Sequence, residues 1–385
     1  MPPPSKTPEE TLKALGRRAV AVVFGGPSPE HDVSILTGLQ AARELGSRGR
    51  RTIAIYWTRS GEWRSVDPSL EASAFADGVP RGARSLQLIA GPGGGFVETG
   101  GITGRSKGLE IGCVLNCCHG GPGEDGTLQG TLDLAGLAYT GPTASGASLG
   151  MDKLAFAGVV SAAGLPCLPR VALTAGSEKV GFEGPYILKP RYGGSSIGID
   201  VVEDMATALD RLAANTHLRR GAVVEPYRKD LFDLNVAVRT WPEMSTSAVE
   251  RPLRTERSAE ILGYADKYVG GEGMAGAPRE LPARIAEELT GALISAAREV
   301  ASLTNARGTA RIDFLSDGES FYVNEVNTIP GSLGRYLWID PPLAFGDLLD
   351  ALLAEAMAMP AAQHSATGAD GTVLRSAGSI ASKLA

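Results

Sequence analysis

Arg311-Ile-Asp-Phe-Leu-Ser-Asp-Gly-Glu-Ser-Phe-Tyr-Val-Asn-Glu-Val-Asn-Thr-Ile-Pro-Gly331 gathers hard oxygen donors beside an arginine, and its reading decides the fold. Side chains alternate along a strand, so Arg311 and Asp313 share one face of a first strand, and Glu325 and Asn327 one face of a second. Ser316 to Glu319 is turn chemistry. An odd-length loop, such as Asp317-Gly318-Glu319 with its glycine left-handed, sets Glu325 opposite Arg311 and brings two carboxylates and an amide oxygen together. These donors suit Mg²⁺, which completes its shell with water and substrate phosphates, so a nucleotide is the expected supplier. The competing reading is a half-exposed hairpin with solvated charges.

The remaining sequence narrows the classes. A chain of 385 residues accommodates two or three packed units. Its formal charge of −6 gives no basic footprint for nucleic acid, which makes small metabolites the expected partners. No apolar run reaches the roughly 18 residues of a membrane span, and Met1-Pro-Pro-Pro-Ser-Lys6 lacks the apolar centre of a signal peptide, so a cytoplasmic location is expected. Cys113, Cys117 and Cys118 crowd before His119 without paired Cys-x-x-Cys units. They read as buried apolar thiols at a strand end rather than zinc ligands.

The expected class is α/β, with α+β character in the later part. Ala19 to Phe24, Gly25-Gly26-Pro27-Ser28, a helix through Leu45 and the strand Thr52 to Trp57 form a strand-helix-strand unit of a parallel sheet. Gly78 to Gly108 has little periodicity and reads as loops or an insertion, after which Ile111 to Asn116 resumes the sheet. A ligand is expected at the strand ends. Residues 1–16 read as a disordered tail, 17–141 as an N-terminal Rossmann-like parallel-sheet domain, 142–225 and 226–360 as two further units, and 361–385 as a flexible tail. Within these units, strands are expected at Cys167 to Leu173, Tyr186 to Pro190, Gly198 to Val202, Val223 to Tyr227 and Asn235 to Thr240. Helices are expected at Met205 to Asn215, Pro282 to Leu303 and Phe345 to Met359.

Leu188-Lys-Pro-Arg-Tyr-Gly-Gly-Ser-Ser-Ile-Gly198 sets a lysine at a strand end and then glycines and hydroxyls, a loop able to fold over phosphates. It lacks the Walker spacing, and a plain turn would also account for its glycines. Taken together, and in this order, several stretches resemble the D-alanine-D-alanine ligase family of the ATP-grasp enzymes. They are Phe24 to Ser34, His119 to Gly130, Met151-Asp-Lys153, the Lys189 loop, Ala265-Asp-Lys-Tyr268, Arg311-Ile-Asp313 and Asn324 to Gly331.

The resemblance implies an ATP-grasp fold and two half-reactions. The γ-phosphate of ATP passes to the carboxylate of a first D-amino acid, and the amine of a second attacks the acyl phosphate. By that resemblance Asp313, Glu325 and Asn327 hold two Mg²⁺, for which Mn²⁺ can substitute, while Lys153, Lys189 and Lys267 neutralise the ATP phosphates. Arg311 and the backbone N–H of Gly331 steady the oxyanion. Glu30 holds the first substrate's ammonium with His119 nearby, and Ser195 and Tyr268 link two loops to that glutamate as the site closes. Glu225 meets the adenine amino group, and Asp233 stands in for the ribose-binding acid. A homodimer is implied.

Two departures stand out. Beyond Gly331, Leu333 occupies the family's threonine position and Tyr336 the position of a serine that binds the second substrate's carboxylate, while Arg335 adds a possible carboxylate partner. The spacing from Asp313 to Glu325 is one residue short, so the hairpin must change its loop or take a bulge. The leading expectation is D-alanyl-D-alanine synthesis for peptidoglycan. The alternatives are a ligase with another acceptor in specialised metabolism and a non-ligating nucleotide-binding regulator.

Overall fold

In a computed structural model, which describes residues 7–99, 106–177, 179–253, 278–359 and 365–380, the chain builds three principal sheets. The first comprises β1 (Ala19–Gly25), β2 (Thr52–Trp57), β3 (Trp63–Val66), β4 (Arg84–Ile89), β5 (Gly95–Glu98), β6 (Lys107–Gly108) and β7 (Ile111–Asn116), in the order β6-β5-β4-β3-β2-β1-β7. Every residue of β1 is buried, as its unbroken apolar run requires of a central strand.

Only β2, β1 and β7 run parallel. From β3 to β6 the sheet continues as an antiparallel meander, so the parallel sheet expected is only its β2-β1-β7 part, and within Gly78 to Gly108 the chain forms strands β4, β5 and β6 where loops or an insertion were expected. The reason lies in the links. No α-helix lies between β2 and β7 among the described residues to carry a parallel crossover, and the short links 58–62 and 90–94 return the chain antiparallel. Glycine makes the β4–β5 return possible, because a Cβ on Gly94 would stand 2.1 Å from the Ile89 carbonyl oxygen.

The second sheet holds β8 (Val171–Leu173), β9 (Tyr186–Pro190), β10 (Asp200–Val202) and β11 (Ala222–Pro226), ordered β10-β9-β11-β8 and wholly antiparallel. The third is ordered β13-β12-β16-β17, from β12 (Phe232–Arg239), β13 (Ser245–Thr246), β16 (Thr309–Ser316) and β17 (Phe321–Asn327). A small ladder of β14 (Arg251–Pro252) and β15 (Arg279–Glu280) lies beside it. Leu234, Val236 and Val238 alternate inward from β12 against Leu293, Ala297 and Val300 of the helix Glu287–Leu303. That helix starts five residues after the expected Pro282.

Phe156 and Val160 join this same core, so the helix Lys153–Ala162 is packed against the third sheet, with Lys153 as its first residue. The side chain of Asp152 caps it, accepting from the Leu154 and Ala155 N–H groups.

The stretch before Arg17 is not a tail throughout. Thr7 and Glu10 form a reciprocal capping box for the helix Pro8–Leu12, and a 3₁₀ turn Lys13–Leu15 follows. Leu12 and Leu15 are buried in the core shared with the helices His31–Ser47 and Phe345–Ala358. Leu12→Ala should therefore cost about 2–4 kcal/mol in urea unfolding, the range for a buried leucine truncated to a cavity, whereas a detached tail would leave stability unchanged.

Candidate active site

The hairpin β16–β17 sets the site's geometry. Ser316 pairs with Phe321 around a four-residue loop, not the three-residue loop expected, and a bulge shifts the register beyond Phe314–Val323. The bulge restores parity. Asp313 pairs with Glu325 and Arg311 with Asn327, so all four side chains share one face, although Glu325 faces Asp313 rather than Arg311. The bulged residue is Asn324.

Asp313, Glu325 and Glu225 are each matched by a cation, and Asp313 by an amide as well. Arg311 clasps Asp313 with Nε to Oδ1 at 2.6 Å and Nη2 to Oδ2 at 2.7 Å, and Asn327 Nδ2 donates to the same Oδ2 at 2.9 Å. Lys153 Nζ lies 3.3 Å from Glu325 Oε2 and donates to the Gly193 carbonyl. Lys189 Nζ donates to Glu225 Oε2 at 2.9 Å and to Asn324 Oδ1 at 3.2 Å. One cavity between the second and third sheets is lined by Lys153, Lys189, Glu225, Asp233, Asp313 and Glu325. A smaller one shares Lys153 and Glu325 and reaches Asn327, Glu124 and Glu30.

Arg170, which no sequence motif singled out, organises this wall. Its side chain is 1% exposed. Nε donates to Glu225 Oε1 at 2.6 Å, Nη1 to the Lys153 carbonyl at 2.9 Å, and Nη2 to the Asn324 carbonyl at 3.0 Å. The bulge, the first turn of the Lys153 helix and Glu225 thus hang on one guanidinium. Burial pushes the Glu225 carboxyl up, but Lys189 and Arg170 outweigh it and hold the acid below its ordinary value. With both oxygens already accepting from cations, Glu225 has only its remaining lone pairs for a further donor.

The other wall comes from loops at the C-terminal ends of β1 and β7. Glu30 precedes the helix His31–Ser47, yet its carboxylate caps nothing there and instead accepts from the Ser195 hydroxyl, 165 residues away. Ser195 and Ser196 are left-handed at φ 53° and 60°, a conformation that costs non-glycine residues energy and turns this loop toward Glu30. Gly120 at φ 62° lies so close that a Cβ there would be 2.3 Å from Glu30 Oε2.

His119 is buried with both ring nitrogens occupied. Nδ1–H donates to the Ile329 carbonyl at 2.8 Å, and Nε2 accepts from Thr37 Oγ1 at 2.8 Å, whose oxygen in turn accepts the Ser332 N–H at 3.1 Å. Glu124 accepts from Ile329 N–H at 2.8 Å, the Thr328 hydroxyl at 3.1 Å and Gly120 N–H at 2.9 Å. These two side chains fix the turn that carries Gly331. Glu124 lay inside the His119 to Gly130 motif without an assigned role, and its only sequence signal was a carboxylate among loop glycines with no nearby cation.

Tyr336 approaches Arg311 Nη1 at 3.5 Å, and the Arg279 guanidinium lies 4.5 Å from its ring centroid. Arg335 is not drawn into this cluster. It is exposed, with its guanidinium 5.2 Å from the Phe345 ring. Lys267 and Tyr268 lie outside the described residues. Cys113, Cys117 and Cys118 are fully buried in apolar clusters, and burial pushes the Cys113 and Cys118 thiols up to about 12.

Two antiparallel sheets gripping a lysine-and-carboxylate cavity, beside a sheet with a parallel core, define an ATP-grasp enzyme. Matches to known proteins agree: the D-ala D-ala ligase N-terminus family covers residues 19–142 and the D-ala D-ala ligase C-terminus family residues 145–354. A D-alanine–D-alanine ligase of a Methylobacterium species is 33% identical over 369 residues, spanning 89% of this chain and 92% of the relative. The VanG D-Ala:D-Ser ligase of Enterococcus faecalis superposes with TM-score 0.69 at 25% identity, covering 88% of this chain and 99% of its own. D-alanyl-alanine synthetase A of Vibrio cholerae shares the fold with TM-score 0.73 at 21% identity, covering 89% and 98%. The chain belongs to the D-alanine–D-alanine ligase family, whose members are ATP-dependent ligases that make a peptide bond.

Two predictions follow from the buried charges. Arg170→Met should destabilise the fold by about 3 kcal/mol in urea, since it strips Glu225 of one of its two cations and orphans two carbonyls. A loss under about 1 kcal/mol would contradict the organising role.

The second concerns pH. Burial, then the charge of Glu30, pushes Glu124 up to about 7 from 4.5, while burial draws His119 down to about 4 from 6.5. Between pH 4.5 and 7 the folded chain keeps a Glu124 proton that the unfolded chain releases, so this group's stability contribution falls as pH rises. Between pH 4 and 6.5 the unfolded chain binds a His119 proton that the folded chain refuses, so that contribution rises. The slopes oppose each other. In urea unfolding across this range Glu124→Gln should leave a steeper rise with pH than the parent, and His119→Asn a fall; parent-like profiles in both would contradict the two shifts.

Proposed function

We propose that the chain joins two D-alanine molecules through an acyl phosphate at the expense of ATP, supplying peptidoglycan precursor in the cytoplasm as a homodimer. The observation that carries the reading is the Ser195–Glu30 hydrogen bond, which ties the loop after Lys189 to the loop after β1 across the cavity. A closed chamber is what an acyl phosphate needs, because water would hydrolyse it. In this reading residues 17–141 work as the substrate unit, and 142–225 with 226–360 as the gripping units.

Lys153 and Lys189, with Lys267 by resemblance, neutralise the triphosphate, and Asp233 takes the ribose. Glu225 lies at the adenine end, where it steadies Lys189 as well as any base contact. Asp313, Glu325 and Asn327 offer only oxygen donors at neighbouring register positions on one face, and this donor set fits Mg²⁺, two ions in all, with Mn²⁺ able to replace it. When bound, the metal supplies charge neutralisation at the phosphates.

Glu30 holds the first substrate's ammonium, and His119 acts from behind by fixing the Ile329 to Ser332 turn. Arg311, with the Gly331 N–H as second donor, would steady the oxyanion, and Asp313, which Arg311 clasps, would be one of the residues to hold a metal ion. The neutral amine of the second substrate attacks the acyl carbon, the C–N bond forms, and phosphate leaves with the C–O electron pair, the proton the amine sheds ending on that phosphate. By resemblance, Tyr268 acts with Ser195 in the link to Glu30.

A second reading, with an acceptor other than D-alanine, is favoured by one observation. Tyr336 brings a ring and its Arg279 partner beside Arg311. ADP release by purified protein with ATP and Mg²⁺, against D- and L-amino acids singly and in pairs, tests both. D-Alanine alone should release ADP and yield the dipeptide, and Lys189→Ala should lower kcat/KM for ATP by about 100-fold, as expected for a lost phosphate cation. Turnover only in a mixed pair transfers the assignment to the second reading, and none in any pair overturns both.

A further inference from the structure

Glu250 is a buried carboxylate, 3% exposed, that lines neither cavity of the site. It immediately precedes β14 and exchanges backbone hydrogen bonds with Asn235 of β12, at 2.8 and 2.9 Å. Its side chain is held twice, Oε2 accepting from Asn235 Nδ2 at 3.0 Å and Oε1 from Arg279 Nη1 at 2.8 Å. Asn235 lies directly across from Asp313 in the β12–β16 register. Arg279, on β15, sets its guanidinium 4.5 Å from the centre of the Tyr336 ring, within the range of a cation–π contact. The Tyr336 hydroxyl lies 3.5 Å from Arg311 Nη1, and Arg311 clasps Asp313. The contacts thus run from Asn235 through Glu250, Arg279, Tyr336 and Arg311 to Asp313, and close on the strand pair where they began.

The backbone places this ring against a conformational penalty. Ser332 and Leu333 are left-handed at φ 50° and 53°, a region that non-glycine residues enter only at a cost, and Gly334 follows at 68°. The turn seats Gly331–Leu337 on the Arg311 face of the third sheet: Ala237 pairs with Arg311, and a Cβ on Gly334 would stand 3.7 Å from the Ala237 Cβ. Small residues at both positions let the segment approach the strand and bring Tyr336 beside Arg311. Burial pushes the Tyr336 phenol up, so it stays protonated and able to donate. Its contact with Arg311 is at the long limit of hydrogen bonding, and its own proton has no acceptor among the described residues.

The Arg311 guanidinium has two edges. Nε and Nη2 face Asp313, which lines the larger cavity, whereas Nη1 faces Tyr336, which lines neither. With ATP and the donor carboxylate on the Asp313 edge, the Tyr336 edge is left for the amino acid that attacks. We infer, resting on the ligase reading, that Glu250 and Arg279 are positioning residues for that second amino acid: they hold the Tyr336 ring so that its hydroxyl, beside Arg311, hydrogen-bonds the acceptor and selects it. Removing either member of the Glu250–Arg279 pair strands the other charge in a buried setting and frees the ring to move.

Hydroxylamine separates the two half-reactions, because it attacks the acyl phosphate in place of the second amino acid, forming a hydroxamate as phosphate leaves with the C–O electron pair and takes the proton shed. Full-length parent, Glu250→Gln, Arg279→Gln, Arg279→Lys and Tyr336→Phe are compared for dipeptide and hydroxamate, with ATP, Mg²⁺ and D-alanine or whichever amino-acid pair gives turnover. Glu250→Gln and Arg279→Gln should raise the acceptor KM about tenfold, the scale of a lost hydrogen bond to a charged group, with the KM for ATP and the hydroxamate rate within about twofold of the parent. Arg279→Lys keeps a cation under the ring and should recover most of the loss. Tyr336→Phe removes only the hydroxyl and should raise the acceptor KM by a like factor, which keeps the test alive should the variants of the buried pair fail to fold. Dipeptide and hydroxamate falling together in the Glu250 and Arg279 variants, or an unchanged acceptor KM in Tyr336→Phe, overturns the positioning role. A parent that forms neither product with any amino acid overturns the ligase reading itself, and the positioning role with it.

Discussion

The register of one hairpin governs everything chemical in this chain. Side chains alternate with a period of two, so a slip of a single residue between β16 and β17 would send Glu325 and Asn327 to the opposite face from Asp313. A four-residue loop alone produces that slip. The bulge at Asn324 cancels it, and the bulge is held by Arg170 at its carbonyl and Lys189 at its side chain. Both cations also grip Glu225 on β11. The local irregularity that aligns the carboxylates is thus pinned by the second sheet, and the two sheets cannot separate at this point without exposing a buried ion pair.

That arrangement explains how a cavity carrying several buried carboxylates stays folded. Carboxylates lining one cavity repel one another, yet Asp313 rests on Arg311, Glu325 on Lys153 and Glu225 on Lys189 and Arg170. Each pairing is one that an incoming phosphate or cation could exchange for its own.

Much of this was legible in the chain itself. The apolar runs of β2, β7 and β9 coincide with their strands to the residue, because buried strands need continuous apolar sequence and end at turn residues. The need for a bulge was legible too, as a count of residues between Asp313 and Glu325. Other features were not. The β4–β5 meander alternates weakly among glycines, so neither strand nor helix periodicity marks it. The first helix has its signal, Thr7-Pro-Glu-Glu10, but lies in a Pro-rich opening that reads as a tail. Arg170 has no pattern around it, since what makes it central is the meeting of β8 with residues 153, 225 and 324, a purely tertiary fact.

The His119 network shows how distant loops become one unit. The Thr37 hydroxyl sits between the Ser332 N–H and His119 Nε2, accepting from one and donating to the other, so its single proton sets the direction of the chain. His119 must then carry its own proton on Nδ1, where only the Ile329 carbonyl can accept it. Protonating Nε2 would reverse the Thr37 hydrogen bond, displacing the hydroxyl proton, and place a cation in a site without a facing carboxylate hydrogen bond, and burial accordingly disfavours the charged ring. Glu124 holds the same turn from its other side through Ile329 N–H and Thr328. The two residues therefore fix both backbone polar groups of Ile329, two residues before Gly331.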